Sequence, residues 1–140
     1  MEVRYLGVDV GTKRIGLALS APGGIVSPLK VLPAAPTVED NVRAILAVAD
    51  EYAAGTIVIG LPLNMDGTEG DQAKISRALA DAIGRASPLP VRLHDERLTS
   101  HAADQRLIER EMTRKKKKDR QDAVAAQILL ESFLQSQADQ

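Results

Sequence analysis

Apolar and polar residues alternate over the first twenty positions in the way expected for two short strands joined by a tight turn. In the first strand Leu6 and Val8 point to one side, whereas Gly7 and Asp9 point to the other. The second strand repeats this division, with glycine, alanine and serine at positions 16, 18 and 20 on one face. Both faces are mostly apolar, which is typical of a central strand covered on both sides. The hairpin therefore predicts a sheet in which the Asp9 face is lined by very small side chains.

Asp9 brings a carboxylate into this apolar strand, beside the space that the small residues leave. Burying a lone charge is costly unless the charge is paired or binds a metal, so one interpretation is a site for a metal ion or a phosphate group. The other interpretation is structural: the carboxylate accepts hydrogen bonds from backbone amides of the turn at Gly11. The spacing alone leaves both open.

The middle of the chain alternates between predicted strands and helices. Residues 25–32 are expected to form an edge strand, because Pro28 cannot donate a hydrogen bond to a neighbouring strand. A helix should begin at the capping pair Thr37 and Asp40 and be closed by Gly55. The elements that follow are a wholly apolar strand at 56–60, a helix at 71–85, a strand at 91–95, a helix from 99 to about 112 and a final helix from about 119 to 135.

This order of elements predicts an α/β fold. We expect a five-stranded mixed sheet, antiparallel at its start and parallel in its later strands, flanked by helices, because strands separated by helices are joined by right-handed crossovers. Neither an internal repeat nor a linker interrupts the pattern. The interpretation is a single domain over residues 1–136, followed by a short frayed tail at 137–140.

Composition narrows the classes of function. The formal net charge is −1, so contact with nucleic acid would have to come from local clusters of charge. There is no cysteine, which removes disulfides, thiolate metal sites and a cysteine nucleophile. We expect a soluble cytoplasmic protein with no membrane partner, because no apolar run is long enough to span a bilayer.

Two further acids are placed where they could meet Asp9. Glu96 follows the carboxyl end of the strand at 91–95, and Asp122 heads the core-facing side of the final helix. Carboxylates gathered in this way suit a hard divalent cation such as magnesium. The structural alternative for Asp122 is a capping pair with Asp119 at the start of the helix. His94 is expected to be a partly buried neighbour of the site and not a ligand.

Two segments outside the acids allow both a structural and a functional interpretation. Asn64 lies in a loop at the carboxyl end of the strand at 56–60, where ligands bind in open α/β sheets, although its turn-forming sequence favours a simple turn. Arg114 begins five consecutive positive charges that end at Lys118. Such a run is usually a solvated, mobile segment, but its position before the final helix raises the chance of a phosphate contact.

Four segments together resemble the YqgF (RuvX-like) family of the ribonuclease H-like superfamily. These are small bacterial proteins assigned to pre-16S rRNA nuclease or Holliday junction resolvase activity. The resemblance covers nearly the whole chain and is carried by GVDVGTKRIGLALS at 7–20, VIGLPLNMDGTEG at 58–70, DERLTS at 95–100 and KDRQDAVAAQILLESFL at 118–134. The uninterrupted basic run at 114–118 departs from the more mixed loop expected there.

The resemblance implies a set of site residues and a cofactor. Catalysis and binding of Mg²⁺ or Mn²⁺ are implied for Asp9, Glu96 and Asp122, with Asp9 bridging two ions. Contacts with nucleic acid are expected from the basic residues, and Asn64 and Thr99 are assigned to a loop that contacts substrate or supports the site. The basic residues are Lys13, Arg14, Arg97, Lys115, Lys116, Lys117 and Lys118.

The implied activity is metal-dependent hydrolysis of phosphodiester bonds at the 5′ end of precursor 16S rRNA. The partners would be structured RNA or branched DNA, with ribosomal particles as a further partner, and the protein would act as a monomer or a homodimer. Resolution of Holliday junctions and a non-catalytic RNA- or ribosome-associated role are the alternatives. A third rival is the phosphate-binding hairpin of the actin and sugar-kinase ATPases, but those proteins close a nucleotide between two such domains.

Overall fold

The computed structural model describes residues 3–98 and 114–138, and the side chains of these residues except 98 and 114–121. None of the described helices has an apolar stretch long enough to cross a bilayer. The elements are β1 (Tyr5–Val10), β2 (Arg14–Ser20), β3 (Val26–Pro33), α1 (Val38–Glu51), β4 (Thr56–Leu61), α2 (Asp71–Ala86), β5 (Val91–Asp95), a short 3₁₀ turn (Glu96–Leu98) and α3 (Arg114–Ala138).

The five strands form one mixed sheet in the order β3-β2-β1-β4-β5. β2 is antiparallel to both β1 and β3, whereas β1 pairs with β4, and β4 with β5, in parallel. The predicted mixed sheet is thus confirmed, and β3, which contains Pro28, lies at its edge as expected. β1 is the central strand, so residues that β1 carries lie in the middle of the sheet.

The two faces of the sheet are covered by different helices. Leu6, Val8 and Ile57 belong to a core that α1 and α2 cover. Ala18 and Val58 belong to the opposite core, which α3 covers. This second face is flat at β1, where a Cβ added to Gly7 would lie 3.0 Å from the Cβ of Leu130. The small residues predicted beside Asp9 therefore let α3 pack closely on the sheet.

The end of α1 differs from the prediction. The Thr37 side chain caps the helix by accepting a hydrogen bond from the Asp40 amide at 3.2 Å, as the capping pair predicted. The helix ends at Glu51, however, and the left-handed residue that follows it is Ala53, with φ of 55°. Gly55 was wrongly expected to close the helix, because the chain turns two residues earlier.

The beginning of α3 also differs from the prediction. The helix starts at Arg114 and includes the basic run, so this run lies within the helix and not before it, and Asp119 is not the N-cap. Lysine and arginine are good helix formers, and nothing in the run breaks a helix. The helix continues to Ala138, into the tail predicted at 137–140. The helix predicted from 99 to about 112 lies outside the described residues.

Candidate active site

Asp9 lies near the carboxyl end of the central strand, with a glycine on each neighbouring strand. On β2 its partner in the antiparallel register is Gly16. On β4, Val8 is opposite Ile59, so Gly60 takes the next position beside Asp9. The carboxylate of Asp9 is thereby set between two positions without side chains. These glycines leave room on the α3 face of the sheet for groups brought by other elements.

Glu96 occupies the space above Gly60. A Cβ added to Gly60 would contact Oε1 of Glu96 and would lie 3.0 Å from its Cδ. Burial, a hydrogen bond with Asp9 and the negative charge of Asp9 together raise the pKa of Glu96 to about 8. The structure therefore brings the Asp9 and Glu96 carboxyl groups into contact, with Glu96 as the protonated donor at neutral pH.

Asp122 reaches the same region from α3. A Cβ added to Gly16 would collide with the backbone carbonyl oxygen of Asp122, so the helix lies directly on the β2 partner of Asp9. Oδ2 of Asp122 accepts a 2.6 Å hydrogen bond from Nε of Arg14. Within the described part of the chain, no three acidic or histidine side chains lie close enough together to form a metal-binding group. Asp122 is near the pair but is engaged by Arg14.

The turn between β1 and β2 is held by its own backbone. The Gly11 amide donates to the Arg14 carbonyl oxygen at 2.9 Å. Gln72, at the start of α2, donates from Nε2 to the Val10 carbonyl oxygen at 2.8 Å. Gln72 was not singled out in the sequence, because a lone glutamine in the first turn of a helix has no distinguishing pattern.

Arg97 forms a hydrogen bond with the loop that follows β4. Its Nη2 donates to Oδ2 of Asp95 at 2.7 Å and its Nη1 to the Met65 carbonyl oxygen at 3.2 Å. The hydrogen bonds from Arg97 hold the pKa of Asp95 below its usual range. This arginine therefore connects the end of β5, next to Glu96, to the 61–70 loop. Its predicted contact with nucleic acid stays a prediction.

The loop containing Asn64 is closed by internal hydrogen bonds. Nδ2 of Asn64 donates to Oγ1 of Thr68 at 3.0 Å, and that hydroxyl donates to Oδ1 of Asp66 at 2.6 Å. Gly67 completes the turn with φ of 90° and donates to the Asn64 carbonyl oxygen at 2.8 Å. The turn interpretation of Asn64 is therefore the one that its contacts support.

His94 is a buried neighbour of the site, as predicted. Its side chain lies on the α3 side of β5, where its ring meets Phe133 edge to face with centroids 5.8 Å apart. Nε2 is 2.9 Å from Oγ of Ser132. Burial lowers the pKa of His94, so the imidazole is neutral at pH 7. The histidine holds α3 to the sheet beneath Glu96.

The remaining predicted residues are placed less fully. Lys13 is exposed in the β1–β2 turn, and its carbonyl oxygen accepts from the Ala34 amide at 2.9 Å. Thr99 lies outside the described residues, and so do the side chains of Lys115, Lys116, Lys117 and Lys118. Their contacts with substrate stay predictions.

The chemistry of the Asp9–Glu96 pair fits a hard divalent cation. Both groups are oxygen donors of the kind that magnesium and manganese prefer. A cation bound between the two carboxyl groups would replace the shared proton and offset the repulsion between two ionised carboxylates. The three atoms nearest to a Cβ added at Gly60 all belong to the Glu96 side chain. Asp9 and Glu96 therefore fit a divalent metal ion.

The sheet order, the helix across one face and the position of Asp9 on the central strand define a ribonuclease H-like fold. RuvC from Thermus thermophilus shares this fold: it aligns with a TM-score of 0.60 over 98% of this chain and 97% of RuvC, at 14% identity. A second RuvC structure, solved with a Holliday junction substrate, aligns with a TM-score of 0.61 over 98% of this chain and 96% of that one, at 15% identity.

Sequence comparison is more specific. The model of the family described as RuvX, Holliday junction resolvase, matches residues 3–136, and the chain belongs to this family. A protein of Anaeromyxobacter sp. named "Putative pre-16S rRNA nuclease" is 43% identical over 94% of this chain and 96% of its own length. A protein of the same name from Rhodopirellula baltica is 44% identical over 95% of this chain and 77% of its own length.

Proposed function

We propose that this protein is a divalent-metal-dependent nuclease that hydrolyses phosphodiester bonds at the 5′ end of precursor 16S rRNA. The observation that carries the proposal is the contact between two carboxyl groups: that of Asp9, on the central strand between two glycines, and that of Glu96, which follows the carboxyl end of β5. A protein rarely keeps two acids in contact in a partly buried place unless they serve binding or catalysis. The family and the names of the relatives support the same class of reaction.

Asp9 and Glu96 would hold Mg²⁺ or Mn²⁺, and Asp122 would provide a third carboxylate. When bound, such ions supply a nucleophilic water at neutral pH and stabilise charge on the scissile phosphate and the leaving oxygen. Glu96 contributes by releasing its proton when the cation binds. The oxygen of water forms the new bond to phosphorus and the bond to the 3′ oxygen breaks, which leaves a 5′-phosphate and a 3′-hydroxyl.

The basic residues would hold the substrate backbone. Lys13 and Arg14 lie in or next to the turn that follows Asp9, and Arg97 follows Glu96. The lysines at 115–118 would extend this contact surface along the start of α3. Contacts of this kind position a nucleic acid without reading its sequence, so binding should weaken steeply as salt rises. Binding to ribosomal particles in the cytoplasm belongs to the same proposal.

A Holliday junction is the second candidate substrate, because the family description names it. The phosphodiester chemistry is the same for RNA and DNA, so the carboxyl pair alone does not indicate which of the two is the substrate. A four-way junction has two-fold symmetry, and its coordinated cleavage would require a homodimer. A monomer in solution would therefore argue against the junction as substrate, whereas a dimer is compatible with both substrates.

Cleavage assays test the proposal directly. End-labelled precursor 16S rRNA leader and a four-way DNA junction are incubated side by side with wild type, Asp9→Asn and Asp50→Asn, in Mg²⁺, Mn²⁺ or EDTA. Asp50 is an exposed aspartate on α1, on the other side of the sheet, so its variant is the matched control. Light scattering of each sample gives the oligomeric state.

The expected result is metal-dependent cleavage of the leader by wild type and Asp50→Asn, lost in Asp9→Asn. Cleavage of the junction alone, by a dimer, would replace the RNA assignment with the second candidate. If wild type binds RNA but cleaves neither substrate under any metal condition, the nuclease assignment is wrong and a non-catalytic role takes its place.

A further inference from the structure

The ion pair between Arg14 and Asp122 joins the first residue of β2 to α3 across 108 positions of sequence. Its Nε–Oδ2 distance is 2.6 Å, and the two side chains are 27% and 31% exposed. An ion pair of this length between partly desolvated groups is stronger than one on the open surface. The third acid of the proposed site is therefore engaged by an arginine.

The backbone of Asp122 lies directly on the strand next to Asp9. The Asp122 carbonyl oxygen lies on Gly16, and Gly16 is the register partner of Asp9. Paired residues of antiparallel strands have Cα atoms only about 5 Å apart. Asp122 is thus anchored beside Asp9, and the direction of its carboxylate decides whether it meets Arg14 or the Asp9–Glu96 pair.

Electrostatics favours Arg14 while no cation is present. A third carboxylate placed beside the two acids that are already in contact would be repelled by the negative charge there. Arg14 avoids this repulsion, because its guanidinium group forms an ion pair with Asp122. A phosphodiester is also a good partner for a guanidinium group, which binds phosphate oxygens in the same forked geometry as carboxylates.

We propose that Arg14 is a positioning residue that keeps Asp122 away from the Asp9–Glu96 pair until a substrate phosphate takes its place on the guanidinium group. This inference rests on the proposed function. Release of Asp122 then supplies the third carboxylate to the cation, so the backbone of the nucleic acid and the metal ion strengthen each other's binding. Such coupling is reciprocal by thermodynamic necessity.

Mn²⁺ affinity measured by titration calorimetry without nucleic acid tests the inference apart from activity. The variants are Arg14→Gln, Arg14→Lys, Asp122→Asn and the double variant Arg14→Gln/Asp122→Asn. Arg43→Gln is the matched control, since Arg43 forms an exposed ion pair with Asp40 on α1. Thermal unfolding of each variant confirms that it is folded, and Arg14→Lys keeps the positive charge if the glutamine variant is destabilised.

We expect Arg14→Gln to bind Mn²⁺ about two- to fivefold more tightly than wild type, the effect of a partly exposed ion pair. The double variant Arg14→Gln/Asp122→Asn should lose this gain in Mn²⁺ affinity. Asp122→Asn alone should change the affinity less than it does in the Arg14→Gln protein, and a double-mutant cycle measures the difference. Arg14→Lys and Arg43→Gln should stay near wild type. Equal or weaker Mn²⁺ binding by Arg14→Gln would overturn the inference.

A second titration measures the coupling. Saturating precursor leader RNA with phosphorothioate linkages, which slow cleavage, should raise the Mn²⁺ affinity of wild type but leave that of Arg14→Gln nearly unchanged. An equal gain in both proteins overturns the inference and leaves the nuclease assignment intact. Failure of wild type and Arg14→Gln alike to bind Mn²⁺ would overturn the proposed metal site itself.

Discussion

The carboxyl group of Glu96 lies in the space that a side chain at Gly60 would occupy, one strand away from Asp9. A methyl group at position 60 must therefore displace it. The displaced group is the end of a flexible side chain, so the structure can adapt at little cost. Gly60 is explained by the position of Glu96 and not by a turn, because it lies within β4.

Gly60→Ala should leave the protein folded but impair the site. We expect the free energy of unfolding to change by less than about 1 kcal/mol, whereas Mn²⁺ affinity and leader cleavage fall about tenfold or more, as for other small displacements of catalytic groups. Chemical denaturation, calorimetry and the cleavage assay measure these effects. Gly84→Ala is the control: nothing lies within 4 Å of its added Cβ, and alanine favours the helix by up to about 1 kcal/mol.

Gly16→Ala, unlike Gly60→Ala, should destabilise the fold. Here the added Cβ meets the backbone carbonyl of Asp122, so α3 must move away from β2. Forcing a group into such a contact typically costs about 1–3 kcal/mol, and urea unfolding should show this loss together with reduced activity. If Gly16→Ala is as stable as wild type, the close approach of α3 to β2 is wrong.

Much of this site follows from the pattern of the sequence, and the rest depends on contacts that no local pattern contains. Alternation put Gly16 and Asp9 on one face, and the parallel crossovers brought Glu96 to the same edge of the sheet. The bond between Arg14 and Asp122 spans 108 positions, so spacing offers no sign of it. The early start of α3 was missed because a block of like charges favours solvation as readily as a helix.

Ser132 on α3 and His94 on β5 form a polar contact between the helix and the sheet, at 2.9 Å. Ser132→Ala should leave the buried imidazole of His94 without this partner, and a buried polar group left unpaired costs about 1–3 kcal/mol. Thermal or urea unfolding measures the change. Ser136→Ala is the matched control, because the Ser136 hydroxyl donates within α3, to the Phe133 carbonyl oxygen, and its loss should cost about 0.5 kcal/mol or less. Equal effects of the two substitutions would contradict a role for His94 in holding the helix.

Glu96 makes the stability of the metal-free protein depend on pH. Burial and Asp9 raise its folded-state pKa from 4.5 to about 8, so between these values the folded protein binds more protons than the unfolded chain. The contribution of this group is therefore complete below about pH 4.5 and is lost as pH rises towards and through 8. A cation that takes the place of the proton should reverse this loss.

Melting temperatures of wild type and Glu96→Gln, measured between pH 6 and 9 with EDTA or with Mn²⁺, test this dependence. In EDTA, wild type should melt at lower temperature as pH rises, because Glu96 must ionise against Asp9, whereas Glu96→Gln should change much less since its amide cannot ionise. Mn²⁺ should stabilise wild type most at the high end of the range, where no proton has to be displaced, and should stabilise Glu96→Gln little at any pH. If the wild-type melting temperature in EDTA falls with pH no more than that of Glu96→Gln, the two carboxyl groups do not share a proton.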